Sequence, residues 1–594
     1  MNKHAWFLLM ITIAVAALFL VAACDAGGGD DDDQPDDDSP DDDDDDQADD
    51  DDSGDDDDSG PEYPHIIPGP GESGFDPDLE HKAMRYAQQY HGICTVPTGM
   101  FLEACIADPD NRALVRDWLT NSDIEQGFEE YTGELLYDVV DEFGQLGDTG
   151  AFGGVAALGV CARYALVRDD IDPTAGDLEE LREHVVRMAA MMHIDIEITG
   201  VPNCMARGIR PPGLPGPVPP TIPLSDGSGN PLPEPKKMCW REDNSGLYPG
   251  WIFKDDLSKD QLDGYLLAMG AIWDVIRDDP DIEQQVKDTL QQDAAAIGDM
   301  LLQTAPETGL QLTIRDADGR LTKHHDLHPR ELEGTILPPF IGNGFNAVMA
   351  LGMLKTIAFV TEEQRFKDAF HYFLDGEDFR KYVDQTFKFT YMGPFTNWSN
   401  INMAYSALYP LLRYEADPEI FAFWQQVMQR DIWYSYFTGW DIDSTGSAYY
   451  SLVYAAFGPE RIDWEAAYFV SHDLSGFPDP PSWQREIINC DPAEIARGRC
   501  LAIDGETELE LAGYFSGGEF NPFWGHNDTL QAVEPVPRRI RPDSNYYWRH
   551  SPHRVNDHAS DRLNPGGDFH AIYWLGRCLY AAEDPAANVS KHAW

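Results

Sequence analysis

Six weakly charged helical stretches alternate along this chain with six amphipathic ones, and no other feature constrains its fold as tightly. The first set covers residues 149–167, 260–277, 343–360, 398–414, 444–457 and 568–581, rich in Gly, Ala, Ser and aromatic side chains. Apolar residues recur there at the helical period. The second set, 178–198, 282–304, 362–389, 418–434 and 464–473, carries one charged face; its sixth member, 124–143, precedes the first weakly charged stretch. A helix without a polar face belongs inside, and one with a polar face belongs at the surface. Six of each predict two concentric rings: an all-α fold, the (α/α)6 toroid of six helical hairpins. An open solenoid of hairpins is the alternative.

Local signals mark the boundaries. Ser258 with Gln261, Ser122 with Glu125, and Thr361 with Gln364 fit capping boxes. Asp417 before Pro418 reads as an N-cap followed by Pro at the first helical position. The clearest strand signal is 310–324, where Asp318-Gly319 between β-prone runs predicts a small β-hairpin insertion.

Residues 1–23 read as a lipoprotein signal peptide. Lys3 supplies a positive start, 6–23 is uncharged, and Val21-Ala22-Ala23-Cys24 resembles a bacterial lipobox, with Cys24 the lipidation site. Residues 24–60 follow as a tether: 22 Asp and no Lys or Arg lie between Asp25 and Gly60. Such a run repels itself and buries nothing. It also lacks the turn Gly and ligand rhythm of a calcium loop. The folded body is then 61–594. Without Lys3 and those 22 Asp it holds 41 Lys+Arg against 83 Asp+Glu, a charge of −42. That excludes nucleic acid and anionic lipid surfaces as general partners, since both need basic patches. The membrane is met through the lipid anchor only. The protein is expected in a bacterial cell envelope, exported and facing the surface or periplasm, on either the inner or the outer membrane.

Eight Cys remain, an even number that favours disulfides in an exported protein. Closeness in sequence pairs Cys490 with Cys500, Cys94 with Cys105, and Cys204 with Cys239 across the Pro-rich 211–235. Cys161 and Cys578 are left, on the first and last weakly charged helices, where a bond would staple the ring.

Short motifs recur in a fixed order: Gly147-Asp148-Thr149; Thr199-Gly200-Val201-Pro202 with Ala206-Arg207; Asp256-Leu257-Ser258-Lys259-Asp260-Gln261; Asp316-Ala317-Asp318-Gly319 with Thr322; Ser399-Asn400-Ile401-Asn402 with Tyr409-Pro410-Leu411-Leu412; Asp568 with Tyr573-Trp574-Leu575-Gly576-Arg577. This set resembles exported bacterial proteins of the six-hairpin glycosidase-like type, a group without settled activity. The similarity spans about 147–577. Members of that group often show Ser-x-Asp-Glu where this chain has Gln261.

In a toroid, chemistry sits at the end ringed by inner-helix N-termini. Asp260, Asp263 and Asp443 lie at two such starts and are the candidate catalytic acids, with His325 as a candidate proton acceptor. Arg207, Arg241, Trp398, Asn400, Asn402, Trp548 and Arg549 are candidate substrate-binding groups. Aromatic rings beside carboxylates and amides suit carbohydrate: stacking, hydroxyl hydrogen bonds, and acids for the glycosidic oxygen. Capping alone also accounts for Ser258, Asp260 and Gln261, and core packing for Trp398 and Trp574.

His324-His325-x-x-His328 with Asp326 lacks the spacing and helix of a zinc protease motif, so no metal or other cofactor is expected. A G-x-S-x-G elbow is missing, and the body has no D-x-D-D acid motif. The reading points to a glycoside hydrolase using two carboxylates. A lyase, with Arg207 or Arg241 on a uronate, and a non-catalytic glycan-binding lipoprotein are the alternatives. The anchor is directly testable: Cys24→Ser should move the protein from the membrane to the soluble fraction, and an unchanged membrane fraction would refute the lipobox.

Overall fold

The computed structural model describes residues 65–594 except 227, 233–238, 334–340, 436–439, 443–444, 446, 460–463, 484–489, 502–504, 525–528, 538–540, 542–550, 556–560 and 582–584. The signal peptide, Cys24, the acidic tether, Asp443, Trp548 and Arg549 lie outside the described residues.

The fold is mostly helical. In chain order the longer helices are α1 (Pro77–Gln89), α2 (Pro109–Asn121), α3 (Thr149–Arg168), α4 (Leu178–Glu197), α5 (Lys259–Ile276), α6 (Gln284–Leu302) and α7 (Gly344–Thr361). Then come α8 (Gln364–His371), α9 (Phe379–Thr386), α10 (Trp398–Arg413), α11 (Pro418–Val427), α12 (Ala448–Phe457), α13 (Trp464–Ser475) and α14 (Gly567–Cys578). The six weakly charged stretches are α3, α5, α7, α10, α12 and α14, and they form the interior; every residue of α7 and α12 is buried. Helices α3 and α7 are long and apolar enough to cross a membrane, yet both are interior helices of this unit.

Neighbours in this set pack in sequence order, α3 on α5, α5 on α7, α7 on α10, α10 on α12 and α12 on α14; α14 returns to α3. Helix α10 also touches α5 directly. The amphipathic helices lie against them: α4 on α3, α6 on α5 and α7, α8 and α9 on α7, α11 on α10, and α13 on α12.

One expected partner fails. Residues 124–143 hold two short helical turns, Phe128–Thr132 and Leu136–Val139, broken at Gly133 with φ +74°. Helix α1 packs on α14 in its place. Its start is set by Asp76, which accepts from the Asp78 and Leu79 amides, with Pro77 at the first position.

Glycine explains how helices without a polar face pack so closely. A Cβ at Gly154 would lie 2.2 Å from the Gly264 carbonyl, one at Gly264 2.1 Å from the Gly150 carbonyl, and one at Gly159 2.6 Å from the His570 carbonyl. Backbones touch at these points, which only a residue without a side chain permits. The registers are head to head. Gly154 meets Gly264, Gly270 meets Thr356, Gly352 meets Ala407, and Tyr450 donates to Asn402, so α3, α5, α7, α10 and α12 run parallel.

The C-terminal ends of these helices are closed by the chain itself. Arg413 pairs with Asp274 at 2.9 Å, and the Ser590 hydroxyl meets Asp274 at 2.5 Å. Buried Lys355 pairs with Glu415 at 2.9 Å and stands 3.6 Å over the Trp594 ring.

Small sheets exceed the single expected hairpin. That hairpin is present as Thr313–Arg315 against Leu321–Asp326, with Gly319 at φ +82°. Gly208–Arg210, Ile252–Lys254 and Trp240–Glu242 add a three-stranded antiparallel sheet, and Glu103–Cys105 pairs with both Glu142–Gly144 and Arg562–Leu563. Two hairpins, Arg499–Leu501 with Glu508–Glu510 and Gly513–Ser516 with Glu519–Pro522, belong to a satellite with its own small core.

The Cys490–Cys500 disulfide is formed within that satellite. The other three expected pairings are not: Cys94, Cys105, Cys161, Cys204, Cys239 and Cys578 carry no disulfide. The Cys578 thiol donates instead to the Ala162 carbonyl at 3.3 Å, so α14 meets α3 through glycine packing and not a covalent staple. The capping boxes also do other work. Ser258 makes no side-chain cap; Thr361 bonds back to the Ile357 carbonyl, and Ser122 ends α2.

Gly154→Ala tests this packing. Alanine favours an isolated helix by roughly 1 kcal/mol, whereas overpacking costs about 1–3 kcal/mol. Net destabilisation is expected by chemical denaturation; a more stable variant would contradict backbone contact.

Candidate functional site

Four elements converge at the N-terminal ends of α3, α5 and α7. Strand Gly208–Arg210 and the residues before it bring Arg207; the 313–326 hairpin brings His324, His325 and Asp326; α3 begins after Asp148 and α5 after Ser258.

Arg207 is the hub. Its guanidinium donates to Asp148 at 2.7 Å, to the Ser258 hydroxyl at 2.6 Å and to the Gly147 carbonyl at 2.6 Å. Burial alone would lower its pKa; the charges of Asp260, Asp148 and Asp256 outweigh that and hold it above its ordinary value. Gln261 ties α5 to α3, accepting from the Ala151 amide at 2.9 Å and donating to Asp148 at 3.2 Å and to Asp260 at 3.3 Å.

A second knot joins α5 to α7. Lys259 donates to Asp326 and to the Asn346 side chain, both at 3.0 Å. A cation in the first helical turn is opposed by the helix dipole, and Asp326 offsets that. Burial pushes the Asp326 carboxyl up, but Lys259 and Asn346 prevail and it lies below its usual range.

Asp260 is half-buried at the rim of this end, and Asp263, one turn along the same face, is 3 % exposed. Burial first, and the Asp260 charge second, drive the Asp263 carboxyl well above its ordinary pKa. One of its oxygens is covered and has no hydrogen-bond partner. A buried acid that holds its proton more tightly than usual, beside a second carboxylate, is an arrangement acid–base chemistry uses. Asp195, buried against Tyr265, is likewise driven well above the carboxylate range by burial.

The other candidates divide. Arg241 is 1 % exposed and pairs with Asp255 at 3.1 Å and Asp318 at 3.4 Å. His325 bonds to Glu331 and the Thr322 carbonyl, both at 2.6 Å, and the Glu331 bond raises its pKa. His324 is exposed, and His328 is buried between Phe373 and Phe379, so the three histidines of that segment face different surroundings. Trp398 is buried against Tyr391, Tyr450 and His553, and Asn402 accepts from the Tyr450 hydroxyl. Asn400 is half-buried near the α10 start and accepts from Asn397 at 3.3 Å.

The sequence reading missed Asp148 and Lys259 as site members. Lys259 had a visible signal, a basic residue in the first turn of an interior helix. No family model, curated protein or solved structure matches the chain.

Asp263 gives a pH test. Its folded pKa is raised, so between the unfolded value near 3.9 and the folded one the unfolded chain binds fewer protons and stability falls as pH rises. Asp263→Asn removes that term. As pH rises above the unfolded value, the variant should gain on the parent by up to about 1.4 kcal/mol per pH unit. A flat difference would mean that Asp263 is ionised in the folded protein.

Proposed function

We propose that residues 61–594 form a closed (α/α)6 ring of the six-hairpin glycosidase-like type, acting on carbohydrate as a lipid-anchored envelope glycoside hydrolase. The ring is supported by the cyclic packing order of α3, α5, α7, α10, α12 and α14 and by the parallel register of five of them. The observation that carries the activity is the Asp260–Asp263 pair, a rim carboxylate one turn from a buried acid with raised pKa. A carboxyl that holds its proton more tightly than usual suits a general acid, and a second carboxylate suits base or nucleophile. Asp443, ahead of α12, is the further candidate for that second role.

The cation pairing favours hydrolysis over elimination. A lyase needs a cation directed at the substrate uronate, and Arg207 and Arg241 are both engaged with internal acids. His325 is engaged by Glu331.

Asp260→Asn and Asp443→Asn should each fold with a melting temperature near the parent's and lose at least ~100-fold in turnover, the scale of acid–base groups. The assay takes neutral and uronate-bearing glycans, reading new reducing ends and ultraviolet absorbance together. Full activity in both variants would remove these acids from the mechanism. Ultraviolet-absorbing products would overturn hydrolysis, and glycan binding without turnover in the parent would replace it with a binding role.

A further inference from the structure

Helix α4 ends beside the candidate site: the Asp195 carbonyl accepts from the amide of Ala206, the residue before Arg207, at 2.7 Å. Near that end a histidine is held between two carboxylates. His193 Nδ1 lies 3.0 and 3.1 Å from the two oxygens of Asp293 on α6, and its Nε2 lies 3.5 Å from Glu197, the last residue of α4. Glu197 in turn accepts from the Tyr248 hydroxyl.

Tyr248 belongs to the loop 243–251, which joins strands Trp240–Glu242 and Ile252–Lys254. Asp243 accepts from the Tyr248 amide at 2.8 Å. The loop is clipped to the end of α4 at two further points. The Asn244 amide donates to the Ile198 carbonyl at 3.1 Å, and its side chain donates to the Thr199 carbonyl at 2.7 Å. At the end of the second strand the Lys254 carbonyl accepts from the Arg207 amide at 2.8 Å, so the loop is one strand away from Arg207.

A neutral imidazole has one N–H and one lone pair; only the imidazolium donates from both nitrogens. With a carboxylate at each nitrogen, the neutral ring must turn its lone pair toward one of them. Asp293 has the stronger claim on the N–H: its side chain is 6 % exposed, and a buried carboxylate without a donor is costly. The lone pair then faces Glu197, which stands at the negative end of α4, where a carboxylate is already disfavoured. The hydrogen bond to Asp293 is the main influence that raises the His193 pKa; burial raises that of Asp293, and His193 opposes it. The groups facing the ring are Asp293 from α6 and Glu197 from α4 itself, with Tyr248 and Asp243 of the loop behind Glu197.

We propose that His193 is a proton-dependent clamp: as imidazolium it ties α4 to α6 and steadies Glu197 as the acceptor for Tyr248, and on losing its proton it releases Glu197 and, with it, the loop 243–251. A histidine with a raised folded pKa contributes fully below its unfolded value near 6.5, and the contribution is lost as pH rises through the folded value. The clamp is closed in mildly acid surroundings and opens toward alkaline pH, whatever reaction the neighbouring site performs.

Hydrogen exchange read by mass spectrometry on the full-length protein, with rates corrected for the intrinsic pH dependence of amide exchange, tests the clamp. From about pH 6 to about pH 8.5, protection of amides 244–251 should fall by about fivefold in the parent, the scale of a partly exposed ion pair. His193→Gln does not titrate, so its loop protection should stay constant over that range. Glu197→Gln, at a side chain 37 % exposed, should fold and keep the loop protected at high pH, because its amide can donate to the neutral ring while its carbonyl accepts from Tyr248. A merely structural Glu197 would instead lose protection at every pH on this substitution. Loop protection in the parent that does not change with pH would overturn the clamp. So would the parent's pH profile persisting in either variant.

Discussion

The contact between backbones at Gly150, Gly154 and Gly264, repeated where Gly159 meets α14, is the constraint on which the rest of the structure depends. Helices that lack a polar face gain nothing from solvent, so their stability comes from packing. Removing the Cβ at the crossing lets two interior helices lie backbone to backbone. Because five of these helices run parallel, their positive ends gather on one side. Acids collect there: Asp148, Asp260 and Asp326 all stand within a turn of an interior helix start or bond to one.

The cations at that end are structural. Arg207 joins the residues before α3 to the start of α5, and Lys259 joins α5 to α7 through Asp326. Each is buried or half-buried, and removing its acid would leave an uncompensated charge, a far larger penalty than a surface ion pair contributes. The opposite end is organised by the same rule, with Arg413 on Asp274 and Lys355 on Glu415. Not every interior cation has an acid: Arg163, Arg210 and Lys287 donate to backbone carbonyls instead.

Much of the helical framework could be read from sequence. The interior helices follow the weakly charged stretches closely; α3 ends at Arg168 against an expected 167, and α7 runs Gly344–Thr361 against 343–360. Those stretches are long and strongly periodic, and little competes with helix there. The failures have physical causes. Residues 124–143 have helical composition, but Gly127 and Gly133 break the stretch into single turns. Asp76-Pro77, which starts the true partner, is the same signal recognised at Asp417-Pro418. Three-residue strands such as Gly208–Arg210 are too short to show a period, and their pairing with Ile252–Lys254 is set by tertiary structure. At the site, Asp260 and Asp263 could be placed on one face from spacing alone, but the burial that separates them in exposure could not. Ser258 and Gln261 fit a capping box in sequence, yet the nearby guanidinium and Asp148 claim both side chains.

Native-state hydrogen exchange on Gly159→Ala tests the packing of α14 on α3 most directly. Gly159 lies against His570 and Ala571, so an added methyl must push α14 from α3. The account predicts that amides of α3, α5 and α14 lose protection together, while the satellite around the Cys490–Cys500 disulfide keeps its own. Loss confined to α3, with α14 unchanged, would contradict it.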